Sequence, residues 1–157
     1  MKIEIWSIGK ESESFIEQGI QFYTKKAKPF CTMTFICIAP PKRTTAMTIE
    51  QMKKDEEKLL LSKLQPHHYL ILLDERGKSF NSIEWAEQIE SLQNNSVKTI
   101  VFLIGGPWGV SDAIKKKAQQ IWSLSKLVFP HQLVRLLIAE QIYRSFSILN
   151  NSSYHHE

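Results

Sequence analysis

Cysteine is nearly absent from this chain: Cys31 and Cys37 are the two among 157 residues. Six positions apart on one extended segment, they would stand about 20 Å apart on the same face. A disulfide needs α-carbons within about 7 Å, which excludes a bond between them. Both are read as small core residues. No Cys or His pair has zinc-ligand spacing, so no metal is expected. No apolar run approaches the roughly 20 residues of a membrane-spanning helix. The N-terminus carries Glu4 where a signal peptide would be uniformly apolar. A cytoplasmic protein without a membrane partner is expected. No repeat, low-complexity stretch or linker divides the chain, so residues 1–157 are read as one domain. Neither sign of charge dominates: 20 Lys and Arg against 16 Asp and Glu leave +4. That balance is compatible with a nucleic-acid partner without requiring one.

What is present is an alternation of strand and helix signals. Residues 2–9 alternate apolar and polar side chains and stop at a glycine, which predicts a strand. Residues 12–28 place Phe15, Ile16, Ile20 and Tyr23 at helical spacing before Pro29. Residues 32–38 are β-branched and aromatic, a second strand ended by Pro40 and Pro41. The basic segment 42–46 reads as a mobile loop, and 48–64 as a charged helix with one apolar stripe (Met52, Leu59, Leu60, Leu64). Residues 69–73 form a short apolar strand ending at Asp74. His67 and His68 fall in a turn and are given no role. Asn81 and Glu84 form a capping box for a helix that buries Trp85, Ile89 and Leu92. Residues 97–104 are the most hydrophobic strand, Ser111 caps a helix over 112–120, and Pro130 opens a long helix over 131–149. Apolar strands separated by helices imply an α/β fold, a parallel sheet covered on both faces.

In such sheets ligands bind at the carboxyl ends of the strands. Three of these ends stand out: residues 72–77 (LLDERG), 104–109 (IGGPWG) and 122–131 (WSLSKLVFPH). Three glycines within five residues favour close backbone approach to a ligand over a plain turn. On that reading a branched side chain at Gly105 would fill the ligand's space. The Gly-Gly-x-x-Gly spacing is not the dinucleotide fingerprint, and it follows the fourth strand rather than the first. The third segment exposes backbone groups able to hydrogen-bond an adenine, although a simple strand-to-helix connection explains it equally well. In the last helix Glu140 and Arg144 form an ordinary i,i+4 pair, while Arg135 and Arg144 also suit phosphate. The basic positions 41–43 and 115–117 read as solvated faces that attract RNA without reading its sequence.

The runs LDERGK, FLIGGPWG, SLSKLVFPHQLVR and AEQIYR, with the terminal YHHE, carry a resemblance over essentially the whole chain. It resembles the RlmH family of the SPOUT superfamily, enzymes that methylate a pseudouridine of large-subunit (23S) ribosomal RNA. The resemblance implies a deep C-terminal trefoil knot, a homodimer with active sites completed at the subunit interface, and S-adenosyl-L-methionine as cofactor. It implies a cofactor pocket of Leu73, Gly105, Leu124, Ser125, Lys126, Leu127, Val128 and Phe129. It also implies substrate-side roles for Arg144, Tyr154 and His155, with methyl transfer to N3 of the pseudouridine and no metal. The identity of the general base stays open, as does whether the tail serves its own or the partner's site. His156 departs from relatives that often carry Lys or Arg there. Two other readings of the same chain are a SPOUT enzyme acting on another RNA such as tRNA, and a non-catalytic RNA-binding or ribosome-assembly protein.

Overall fold

The computed structural model of the chain describes residues 1–9 and 12–154. Five strands and five helices alternate: β1 (Lys2–Ile8), α1 (Ser14–Ala27), β2 (Thr32–Ile38), α2 (Ile49–Lys63), β3 (His68–Ser79), α3 (Ser82–Asn94), β4 (Thr99–Ile104), α4 (Asp112–Lys117), β5 (Gln120–Ser123) and α5 (His131–Leu149). The strands form one parallel sheet in the order β2-β1-β4-β3-β5. Every residue of β4 (TIVFLI) is buried, as a central parallel strand covered on both faces requires.

Two apolar layers hold the sheet. On one face Ile3, Ile5, Ile71, Ile100 and Phe102 pack with Ala27 of α1, Trp85 and Ile89 of α3, and Ile138, Ile142 and Phe146 of α5. On the other, Trp6, Leu70, Leu72, Val101 and Leu103 meet Leu60 of α2 and Ile114 of α4. Strands of period two hand alternate side chains to the two layers, so α2 and α4 share one side while α1, α3 and α5 share the other. Two helix starts carry complete capping boxes, the expected one of α3 and a second at α2. Thr48 accepts from the Gln51 amide while the Gln51 side chain returns to the Thr48 amide. Asn81 and Glu84 do the same for α3.

Several expectations need correction. The third strand does not stop at Asp74: after Leu73 it slips register and pairs again with β5 at Lys78 and Ser79. The helix expected over 112–120 ends at Lys117, because the Gln119 amide bonds to the Leu70 carbonyl and 120–123 joins the sheet as β5. Cys31 is a core residue, but Cys37 lies exposed on the edge strand β2. His68 begins β3 and packs edge-on against Trp6, with ring centroids 5.6 Å apart. Within the segment 42–46, the Arg43 guanidinium donates to Glu56 at 2.6 Å, a contact not foreseen from the sequence. Among the described residues no helix is long and apolar enough to cross a membrane.

Candidate active site

A cavity of about 490 Å³ opens at the carboxyl ends of β3, β4 and β5. The sheet itself makes the room. Leu73 and Ile104 are the last paired residues of β3 and β4, and β3 then bows away from Asp74 to Gly77 before it re-pairs, as irregular strands often do beside sites. Leu73, Ile104, Leu124 and Val134 give the cavity apolar walls, while Asp74, Glu75 and Arg76 stand along the bowed segment. Lys53 of α2 and Lys115 of α4 add cationic side chains.

The glycine turn after β4 forms a second wall. Gly106 and Gly109 pair across it, with the Gly109 amide donating to the Gly106 carbonyl at 2.9 Å. Each of its glycines has a packing or backbone reason. A Cβ on Gly105 would come within 2.9 Å of Val110 Cγ1, and one on Gly106 within 3.0 Å of Glu56 Oε2. Gly109 has φ +74, a conformation L side chains rarely adopt. The expectation that a branched residue at Gly105 would intrude on ligand space is therefore corrected: it would first meet Val110 and push the turn. Glu56 is only 5 % exposed, a buried carboxylate that its ion pair with Arg43 compensates.

The third wall is the loop 124–129. It is stiffened by Ser123 Oγ donating to the Ser125 carbonyl at 2.9 Å and by the Leu127 amide donating to Ser125 Oγ at 3.0 Å. Leu127 and Val128 are 69 % and 85 % exposed, and Trp108 across the mouth is 52 % exposed. His131, at the first turn of α5, completes the wall. Its pKa is lowered by burial and then by the Arg135 charge, with Glu56 opposing, so it is neutral at pH 7.

Seven of the eight residues expected around the cofactor line this one cavity: Leu73, Gly105, Leu124, Ser125, Leu127, Val128 and Phe129. Lys126 does not. Sequence reasoning missed Lys53, Lys115 and His131. His131 was within a quoted run, but nothing local marks the two lysines, which reach the pocket only because α2 and α4 cover the same face.

Arg144 and Tyr154 lie together but away from the cavity. Arg144 Nε and Nη2 donate to Glu140 Oε1 at 2.8 and 2.5 Å, and the Tyr154 hydroxyl donates to the same oxygen at 3.1 Å. The Arg144 guanidinium stands 4.9 Å from the Tyr154 ring centroid. Burial, then Tyr23 and Glu140, push the Tyr154 pKa well above the ordinary phenol value, so this hydroxyl keeps its proton. Arg144 follows His131 by 13 residues of continuous helix, about 20 Å at 1.5 Å per residue. The other expected residue, His155, lies outside the described residues. Among the described residues no group of three His, Cys, Asp or Glu could hold a metal ion.

A family model described as "Predicted SPOUT methyltransferase" matches residues 1–155. The chain is 43% identical over 157 residues to the ribosomal RNA large subunit methyltransferase H of Flavobacterium johnsoniae, covering the whole of both proteins. It is 40% identical to the protein of that name from Cytophaga hutchinsonii, over 99% of this chain and all of that one. The corresponding protein of Natranaerobius thermophilus is 36% identical over 99% of this chain and its own full length.

Proposed function

The chain belongs to the SPOUT methyltransferase family, and from that premise we propose that it methylates large-subunit ribosomal RNA, with S-adenosylmethionine as donor and N3 of a pseudouridine as acceptor. The observation that carries this reading is the convergence of Leu73, Gly105 and the loop 124–129 on one cavity at the strand ends. At about 490 Å³ it falls within the several hundred Å³ typical of small-molecule sites. Its chemistry suits the donor: apolar side chains for the adenine faces, loop backbone for its edge, and the carboxylates of Asp74 and Glu75 for a cationic sulfonium.

When bound, that sulfonium supplies a methyl group already electrophilic without a metal. The protein's task is then to align the acceptor nitrogen with the methyl and let its proton leave. Arg144 is assigned to an RNA phosphate or base carbonyl, and Tyr154 and His155 to the base. The Tyr154 hydroxyl keeps its proton and donates a hydrogen bond to Glu140, so Tyr154 positions the base while His155 is the better acceptor of the N3 proton near neutral pH. The separation of about 20 Å along α5 between Arg144 and the cavity wall argues that the cluster serves the partner's cavity, in a homodimer. The C-terminal trefoil knot belongs to this same proposal, as does a cytoplasmic location beside the ribosome.

The test is methyl transfer assayed side by side on intact ribosomes, free ribosomal RNA and tRNA, with donor binding titrated in parallel. Transfer to ribosomes or their large-subunit RNA is expected. Transfer to tRNA alone would overturn the substrate assignment, and a folded protein that binds no donor would overturn the enzyme reading.

A further inference from the structure

Glu140 has the sequence signature of a routine helix-surface pair with Arg144, yet its surroundings are not those of a surface pair. Its side chain is 16% exposed. Oε1 accepts three donors, two from Arg144 and the Tyr154 hydroxyl, and Oε2 accepts Gln141 Nε2 at 2.6 Å. Gln141 in turn accepts from Ser82 Oγ of α3 at 3.4 Å, so the carboxylate is braced from a second helix. Tyr154 reaches it from 14 positions away because the chain turns back after α5. Asn151 adopts φ +51, a conformation Asn tolerates, and the Ser152 amide returns to the Ser147 carbonyl at 2.9 Å.

We propose that Glu140 is a positioning residue for methyl transfer: one braced carboxylate that orients Arg144 and Tyr154 together for the RNA. The inference rests on the reading above that those two residues meet the substrate. A planar guanidinium held along its Nε–Nη2 edge by one carboxylate has a fixed plane. The Tyr154 ring is then set by that plane on one hand and by Tyr143, at 4.7 Å between centroids, on the other. Removing the carboxylate takes away the acceptor that both side chains share, and leaves Tyr154 its longer contact with the Tyr23 hydroxyl at 3.4 Å. The raised pKa of Arg144, caused first by the Glu140 hydrogen bond, and that of Tyr154 agree with this arrangement.

The experiment compares Glu140→Ala and Glu140→Gln with Arg144→Ala and Tyr154→Phe, in the full-length protein, on ribosomes and with S-adenosylmethionine. Glu140→Ala is expected to lower kcat/KM for the RNA by roughly tenfold or more, as losing two oriented groups should. The Kd for S-adenosylmethionine should stay within about twofold, because the helix carries Glu140 away from the cavity. Glu140→Gln keeps an acceptor oxygen and should recover part of the loss. A second readout is independent of turnover: ultraviolet titration of tyrosinate, with Glu140→Ala compared against Glu140→Ala/Tyr154→Phe. Around that hydroxyl stand Tyr23 and Lys26 from α1 and Glu140, Tyr143 and Arg144 from α5, so removing the carboxylate should let Tyr154 ionise at lower pH. Full RNA turnover in Glu140→Ala while Arg144→Ala and Tyr154→Phe are impaired would overturn this inference alone. Full turnover in all of them would overturn the substrate-side assignment with it.

Discussion

A methyl group added at Gly106 lands 3.0 Å from a buried carboxylate oxygen of Glu56, so Gly106→Ala forces the glycine turn or the Arg43–Glu56 pair to move. The expected cost is about 1 to 3 kcal/mol, the usual range for overpacking, read as a lower thermal midpoint together with weaker binding of the methyl donor. A second residue-scale prediction concerns Glu4. It is 6 % exposed and holds Trp6 Nε1 at 2.7 Å and Lys2 Nζ at 2.6 Å. Burial works to raise its pKa, but those two partners outweigh burial and leave it below the ordinary carboxylate value. A lowered folded-state pKa stabilises the fold above the unfolded value and stops doing so as pH falls through the folded one. Glu4→Gln should therefore cost about 1 to 2 kcal/mol at pH 7, with the difference from the parent closing in acid below about pH 4, as denaturant titrations at several pH values would register. The two thiols should also separate. Burial pushes Cys31 up to about 11, whereas Cys37 is exposed, so at pH 8 one thiol should react with an aromatic disulfide reagent in the native protein and both in denaturant.

At the scale of elements, what could be read from the chain was whatever local physics decides. The capping pair Asn81–Glu84, the β-branched run 32–38 and the start of α5 after Pro130 all depend on neighbours within a few positions, and all stand where expected. The misread pieces depend on partners far along the chain. β3 outlasts Asp74 because β5 offers it a second pairing after the bow, and α4 is cut short because Leu70 claims the Gln119 amide. No pattern within residues 112–120 or 69–74 encodes either event. The same holds for the site. The strand ends that form the cavity were legible from glycine and apolar patterning, while Lys53, Lys115 and the Glu56 brace come from helices whose placement is decided by sheet topology. Glu140 was legible as a pair and not as a hub, because Tyr154 joins it only through the turn at Asn151.

The whole molecule poses the question of how a cavity at one end of α5 and a cluster toward the other serve one reaction. Two copies related by a two-fold axis answer it if each supplies its cluster to the other's cavity. Arg144→Ala should then bind the methyl donor normally and lose RNA turnover, whereas Gly106→Ala should lose donor affinity. Mixed and allowed to exchange subunits, two inactive variants, one in each place, should regain about a quarter of parental activity, since half the dimers are mixed and one of their two sites is intact. No recovery despite demonstrated exchange would return the cluster to its own chain. The most direct measurement of the account is chemical: digest large-subunit RNA to nucleosides after reaction with methyl-labelled S-adenosylmethionine, and identify the labelled nucleoside by mass and chromatography. The account predicts label in 3-methylpseudouridine with the parent protein and its loss with Arg144→Ala; label in any other nucleoside, or equal label with that variant, would contradict it.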